Sequence, residues 1–255
     1  MKLRFIYRAW KARLRDQQLE IEIARAFIRP GDLVVDAGAN KGAYLYWMRQ
    51  CAGPDGKVLA YEPQPELAKY LTAVREAFAW KNVEVHPVAL SDRVGQATLH
   101  VPGSGVSPGA SLESSVLEHD KGRRFECSVD TLEHQLADRG NIRFCKVDVE
   151  GHELSLFRGG AQTLERDRPV LLFECEARHL TKHSMGDVFA FLKELGYAGY
   201  LLRGHELLPV EKCDAAIHQR PGTPGFWNAP DYYNNFLFLA GSLPESLKRK
   251  LTVQK

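Results

Sequence analysis

An apolar segment that ends in an acid and is followed at once by glycines constrains this chain most. Leu33–Asp36 ends in a carboxylate, and Gly38 and Gly42 come directly after it. Apolar residues then recur at helical spacing from Tyr44 to Met48. A buried strand, a tight turn and a helix in this order form the opening unit of a nucleotide-binding α/β sheet. We therefore predict an α/β fold.

The spacing of the glycines indicates which ligand this turn accepts. Dinucleotide sites have the pattern G-x-G-x-x-G, in which the second glycine lets the backbone approach a pyrophosphate. Here Asn40 stands at that position and the pattern is G-x-N-x-G. We predict a ligand without a pyrophosphate, and S-adenosylmethionine (SAM), an adenosine joined to an amino acid through a sulfonium, is such a ligand.

Carboxylates stand at the ends of four predicted strands, the first, second, fourth and fifth. The ends lie at Asp36, at Glu62, at Asp148–Gly151 and at Glu174–Glu176. Ligands of open α/β sheets bind beyond the carboxyl ends of the strands, so these side chains should meet at one edge. Crowded carboxylates need cationic or hydroxyl partners. A sulfonium, an amine and a ribose diol supply such partners.

The predicted contacts to SAM follow from these positions. Asp36 should accept from the methionine ammonium, and Glu62, followed by Pro63, should accept from the ribose hydroxyls. An exposed acid at a helix start is the alternative for Glu62. Ser91 and Asp92 follow the third strand, where adenine should lie, although a turn role fits them as well. Backbone N–H groups of the turn should bind the methionine carboxylate; these belong to Gly38, Ala39, Asn40 and Gly42.

The strand–helix alternation is interrupted once. Segments 96–101 and 124–129 alternate like antiparallel strands, and Pro102–Ser115 between them is rich in Gly, Ser and Pro. We predict that this stretch is a flexible flap over the acceptor. A single helix is predicted from His152 to Arg166. The aromatic loop 219–234, which contains Phe226, Trp227, Tyr232 and Tyr233, either stacks on a sugar or anchors itself to the core.

Composition argues against several classes of protein. The 255 residues carry a formal charge of +2, so no nucleic-acid partner is expected. The five cysteines are widely spaced without a C-x-x-C pair, which favours reduced thiols in a cytoplasmic protein. No apolar run approaches the roughly 20 residues that span a bilayer. The oligomeric state is not indicated.

Several motifs together resemble the FkbM family of SAM-dependent methyltransferases over about residues 30–240. The family implies a Rossmann-like class I fold with a mostly parallel central sheet, helices on both faces and an antiparallel end. It also implies O-methylation of a hydroxyl on a sugar, glycolipid or natural product. His152 departs from the small residue common in the family, through either acceptor tuning or surface variation. The motifs are Asp36–Gly42, Ala89–Asp92, Val129–Leu132, Lys146–Glu153, Phe157–Ala161 and Pro169–Glu174.

On this basis we divide the chain into an N-terminal helical extension (1–29), a methyltransferase domain (30–241) and a C-terminal tail (242–255). The extension mixes Lys and Arg with apolar residues at helical spacing. We expect it to pack on the domain. A basic helix that contacts a membrane surface is the alternative.

Transfer of a methyl group to an alcohol requires a base near the methyl. We propose Asp148 as the first candidate, with Glu174 or His179 beside it; contact with the cofactor, which Asp148 would then orient, is the alternative role of this residue. Glu150 and His152 are further carboxylate and imidazole candidates. Glu176, His179 and His183 have metal-compatible spacing, but a polar loop is the preferred interpretation and no metal is predicted. Two other functions remain open: a non-catalytic SAM-binding interaction module and, less favoured, a nucleic-acid methyltransferase.

Overall fold

The computed structural model describes residues 1–114, 122–220, 222, 225–226 and 229–254, and within them helices and strands alternate as the sequence indicates. The helices are α1 Lys2–Lys11, α2 Gln18–Phe27, α3 Ala43–Ala52, α4 Pro65–Ala77, α5 Leu132–Leu136, α6 Glu153–Arg158, α7 Ala161–Asp167, α8 Met185–Glu194, α9 Ala215–His218 and α10 Glu245–Lys248. The strands are β1 Leu33–Ala37, β2 Lys57–Tyr61, β3 Val83–His86, β4 Ala89–Leu90, β5 Gly95–Val101, β6 Arg123–Asp130, β7 Ile142–Val147, β8 Val170–Glu174, β9 Ala198–Arg203, β10 Glu206–Pro209, β11 Asn235–Leu239 and β12 Thr252–Val253.

The central sheet has the strand order β12-β10-β9-β11-β8-β7-β1-β2-β3. Strands β3, β2, β1, β7 and β8 are parallel, whereas β11 runs antiparallel to both β8 and β9. The strand order therefore switches at β1, with β2 and β3 on one side of it and β7 and β8 on the other, and the carboxyl ends of β1, β2, β7 and β8 share one edge. This confirms the predicted fold class, including its antiparallel end.

Alternating side chains of β1 place one hydrophobic core on each face of the sheet. Val34 belongs to the core beneath α1–α4, and Val35 belongs to the core beneath α5–α8. Because successive strand residues point to opposite faces, an apolar run buried on both sides is what a central parallel strand requires.

A second sheet, β4-β6-β5, carries the predicted antiparallel pair. The third strand, which the apolar alternation predicts over 83–88, ends at His86 in the central sheet, and β4 begins at Ala89 in the second sheet. The chain therefore leaves the central edge earlier than the pattern suggests.

The helical extension consists of two helices, α1 and α2, joined by a π-helical turn at Ala12–Asp16, as its helical spacing allows. Two other segments differ from expectation. The helix predicted over 152–166 is two helices, α6 and α7, separated by Gly159 and Gly160, which are poor helix formers. The segment assigned as a tail contains α10 and β12, and β12 pairs with β10 in the central sheet.

All five cysteines are free thiols. Among the residues that the structure describes, no helix is both long enough and apolar enough to cross a bilayer. Ser115 of the predicted flap and Trp227 of the aromatic loop lie outside the described residues.

Candidate active site

Two adjoining cavities open at the carboxyl edge of the sheet. The first, here called the nucleoside cavity, is lined by residues 61–64, residues 88–90 and residues 108–112. The second, the acidic cavity, is lined by Asp36, Lys146, Asp148, Glu150 and Glu174 together with the N-terminal half of α3. The two share Gly38, Asn40, Pro108 and Asp148.

Gly38 is required where the turn after β1 passes the end of β7. Its φ is +79°, and a Cβ atom there would lie 1.9 Å from the backbone oxygen of Asp148. This contact holds the two loops together, so any side chain at residue 38 would separate the walls of both cavities. A side chain at residue 38 would thus clash with the backbone of the protein.

Gly42 has a different role from the predicted cofactor contact. A Cβ on this residue would meet the side chains of Leu71 and Phe5, each at 2.9 Å, and its φ is +77°. Gly42 therefore lets α1 pack closely on the turn, and it lines neither cavity.

Glu62 is held rigidly at the wall of the nucleoside cavity. It is 3% exposed and accepts the backbone N–H groups of Asn40 (2.8 Å) and Gln64 (2.9 Å). Burial raises its pKa to about 7, against the effect of these hydrogen bonds. Two N–H donors leave carboxylate lone pairs for a ribose diol, and the predicted neighbour Pro63 lines the same cavity.

Asp36 and Asn40 present buried acceptors that lack donors. Asp36 is 2% exposed, and neither its Oδ2 nor the Oδ1 of Asn40 has a hydrogen-bond partner within the described residues. Burial raises the pKa of Asp36 to about 7; the Lys146 ammonium opposes this shift, and the carboxylates of Asp148 and Glu62 add to it. A buried acceptor without a donor is costly in a folded protein. Both residues line the acidic cavity, where the ammonium of SAM would supply a donor, so these acceptors fit SAM. Ala39 lines the same wall, but its N–H and that of Gly38 both donate to the Tyr61 backbone oxygen, so they do not bind a methionine carboxylate as predicted.

The acidic cavity brings together two of the three predicted bases. Asp148 and Glu174 both line it, with the Lys146 Nζ 3.7 Å from Asp148 Oδ2. Burial, followed by the charges of Asp148 and Glu150, raises the pKa of Glu174 well above its usual range. Asn234 donates to Glu174 Oε1 at 2.6 Å.

His179, the third predicted base, does not line either cavity. It is 8% exposed and contacts Glu150, with Nδ1 2.7 Å from Oε2. His179 therefore lies behind Glu150 and acts on the cavity only through it. Gly151 makes this packing possible, since a Cβ there would lie 2.6 Å from the His179 backbone oxygen.

The possible metal ligands that the structure brings together differ from Glu176, His179 and His183, the set with metal-compatible spacing. Glu150, Glu176 and His179 have ligand atoms within 4.8 Å of one another. His183 lines a separate cavity beside Asp92 and Arg158. Glu176 already accepts from Arg178, Tyr232 and Asn234.

Ser91 and Asp92, expected beside adenine, do not line the nucleoside cavity. Ser91 is buried, and Asp92 lines the separate cavity with His183. Residues 88–90 line the nucleoside cavity instead, because the chain enters the second sheet at β4. His152, expected either at the acceptor or at the surface, is buried. Its Nε2 lies 2.9 Å from Ser91 Oγ and its Nδ1 lies 3.0 Å from Glu113 Oε1.

Residues 102–114, the described part of the predicted flap, cover the nucleoside cavity. Gln64 and Ser107 exchange two hydrogen bonds, of 2.9 and 3.1 Å, and Ser111 Oγ donates to the Glu150 backbone oxygen at 2.5 Å. The His152 ring lowers the pKa of Glu113 to about 2, with a further contribution from Lys182. These contacts fasten the segment on both sides of the cavity.

Comparison with known proteins decides the family. A family model described as "Methyltransferase FkbM domain" matches residues 36–198, more than half of the chain. The chain belongs to the FkbM methyltransferase family. Its cofactor is therefore SAM, as the turn and the resemblance predict.

Two relatives show which proteins this FkbM methyltransferase is similar to. It is 29% identical over 229 residues to the "31-O-demethyl-FK506 methyltransferase FkbM" of Streptomyces tacrolimicus, which covers 75% of this chain and 80% of the relative. The solved methyltransferase FkbM of Methylobacillus flagellatus superposes with a TM-score of 0.52 at 16% identity. That match covers 91% of this chain and 53% of the solved one, so the chain spans about half the length of that protein.

A shorter match is to a tRNA methyltransferase. The "tRNA (adenine(57)-N(1)/adenine(58)-N(1))-methyltransferase TrmI" of Methanocaldococcus jannaschii is 47% identical over 47 residues, which is 18% of this chain.

Sequence reasoning overlooked two residues of this FkbM-family site. Lys146 lies within one of the motifs, but the motif assigns it no role. A lysine inside an apolar strand such as Phe144–Val147 itself indicates a site, because a buried ammonium group needs partners. Gln64 gave no such signal, since its partner Ser107 lies 43 residues away.

Proposed function

We propose that this FkbM-family methyltransferase transfers the methyl group of SAM to a hydroxyl oxygen of a sugar, glycolipid or natural product. The observation that carries the proposal is the acidic cavity, where Asp148 and Glu174 face the space next to the shared wall at Gly38. The cytoplasmic location expected from the cysteines is part of the same proposal.

Bound SAM supplies an electrophilic methyl group on a sulfonium, whose sulfur leaves as a neutral thioether. As the new C–O bond forms and the C–S bond breaks, the hydroxyl must lose its proton. Asp148 Oδ accepts that proton. The Lys146 ammonium lies 3.7 Å from Asp148 Oδ2 and pairs with this carboxylate.

Glu174 and Asn234 complete the proposed acceptor wall. Asn234 fixes the Glu174 carboxyl, and burial raises the pKa of this carboxyl well above its usual range, which favours the protonated form. A protonated carboxyl donates a hydrogen bond to the acceptor, whereas an ionised one accepts. Glu174 is thus suited to positioning a hydroxyl against the methyl group, which is the larger part of such catalysis.

The name of the Streptomyces tacrolimicus relative places its methyl group on an oxygen of a demethylated FK506 molecule, and this supports oxygen as the acceptor atom. The short TrmI match keeps tRNA among the acceptors to be tested. A non-catalytic SAM-binding module is less compatible with the site, because binding alone gives no reason to bury Glu174 beside Asp148.

The test is turnover of Asp148→Asn and Glu174→Gln against a panel of sugars, glycolipids, natural-product alcohols and tRNA, read by mass shift. Asp148→Asn should lower kcat by about 10²–10⁴-fold and leave the Kd for SAM within about threefold. Glu165→Gln, an exposed acid on α7, is the matched control and should retain wild-type kcat. Unchanged kcat in both site variants, or transfer to tRNA alone, would refute the proposal.

A further inference from the structure

Helix α1 exposes an apolar stripe on the side that faces away from the domain. Its members follow spacings of four, three and four residues, which keeps them on one side of a helix. Their exposed fractions are 84% for Leu3, 67% for Tyr7, 40% for Trp10 and 64% for Leu14, the last in the π-helical turn.

The opposite side of α1 is packed against the domain. The exposed stripe is therefore not the side of the helix that belongs in the hydrophobic core. Phe5 and Ala9 are at most 1% exposed, and Phe5 contacts the rings of Tyr46, Phe78 and Trp80. The Trp47 Nε1–H donates to the Ala9 backbone oxygen at 2.8 Å. The stripe is therefore held in a fixed place on the molecule.

Positive charge is concentrated around the stripe. Residues 1–16 contain six cations and one acid, Asp16, which pairs with Lys11 and Arg15, whereas the formal charge of the whole chain is +2, so the other 239 residues carry −3. The cations are Lys2, Arg4, Arg8, Lys11, Arg13 and Arg15. A helix with Trp, Tyr and Leu on one side and Lys and Arg along its borders suits the interface of an anionic bilayer.

We propose that α1 and the turn Ala12–Asp16 form a docking surface for an anionic lipid membrane. Leu3, Tyr7, Trp10 and Leu14 enter the headgroup region, and the flanking cations contact lipid phosphates. A second copy of the chain is a poorer occupant of this surface, because pairing the two stripes would bring two sets of six cations together.

The surface is continuous with the active site. Arg8 and Gln17 line the acidic cavity, and Arg8 Nη1 donates to Tyr70 Oη at 3.1 Å. The helix that docks therefore also borders that cavity. Access to a lipid-linked hydroxyl rests on the proposed function, whereas docking itself does not, so vesicle binding tests the docking separately.

The experiment is sedimentation of the full chain with vesicles of phosphatidylcholine alone and with one third phosphatidylglycerol, at low and high salt. The wild type should bind the anionic vesicles at least tenfold more tightly, and salt should weaken this binding. Leu3→Glu/Leu14→Glu should lose at least tenfold. Val94→Glu/Ile217→Glu changes two similarly exposed residues (63% and 66%) elsewhere and should bind as the wild type does.

A charge variant tests the electrostatic part. Arg4→Glu should weaken binding by at least about fivefold, the usual effect of one cation near an anionic surface, and Lys81→Glu should not. Circular dichroism and SAM affinity verify that each variant is folded. Equal binding of Leu3→Glu/Leu14→Glu and the wild type would overturn the proposal. So would a lipid-free dimer, seen by ultracentrifugation, that this double variant dissociates.

Discussion

Replacing Asp36 by asparagine should stabilise the ligand-free protein and weaken its binding of SAM. The pKa of Asp36 is raised from 3.8 to about 7, mainly by burial. Between these values the folded protein keeps a proton that the unfolded chain releases, so the free energy of unfolding falls as pH rises through this window. Above pH 7 the loss is constant.

The size of the effect follows from the shift. About three pKa units at 1.36 kcal/mol each give an upper limit of about 4 kcal/mol. The amide of Asp36→Asn still fits the site but is never ionised. We therefore expect the free energy of unfolding to rise by about 1–4 kcal/mol at pH 8 and to change little near pH 4.

The same substitution removes the charge that binds the methionine ammonium. Loss of a charge-assisted hydrogen bond costs about 1.5–3 kcal/mol, so the Kd for SAM should rise by about 10- to 100-fold. Urea unfolding at pH 4 and pH 8 and calorimetry with SAM measure both effects. Asp55→Asn, an exposed acid in the loop before β2, is the control. Lower stability of Asp36→Asn at pH 8, or unchanged SAM affinity, would refute this account of Asp36.

Three further predictions concern the walls of the nucleoside cavity. Gly38→Val should abolish the thermal shift that SAM produces, because the Cβ would lie 1.9 Å from the Asp148 carbonyl oxygen; a normal shift in scanning fluorimetry would contradict this. Glu62→Ala should weaken SAM binding in calorimetry by about 1–3 kcal/mol, and NAD should not bind either protein; equal affinities would remove Glu62 from the site. His152→Ala should speed proteolytic cleavage within 102–114, because Glu113 loses its partner; SAM should slow the cleavage, and identical rates would exclude a fastening role.

Local sequence patterns predicted those parts of the site whose geometry depends on residues that are neighbours in the chain. The strand ends at Asp36, Glu62, Asp148 and Glu174 do share one edge, because parallel strands must present their carboxyl ends together. The left-handed turn at Gly38 was likewise readable, since few residues other than glycine adopt it easily.

Contacts between distant segments were not predictable in this way. Ser91 and Asp92 follow the third strand in the chain, yet the transfer from β3 to β4 carries them into another sheet. The partners of His152, at Ser91 and Glu113, lie 61 and 39 residues away. Similarly, β12 is a two-residue strand whose pairing with β10 leaves no periodic signal.

Incubation with SAM labelled with ¹³C at the methyl group, followed by NMR of the product, tests the central claim most directly. The account predicts that the label appears on an oxygen of a hydroxyl acceptor, and that Asp148→Asn slows its appearance while SAM remains bound. A label found on a nitrogen, or transfer at the wild-type rate by Asp148→Asn, would contradict the assignment of the acidic cavity to hydroxyl methylation.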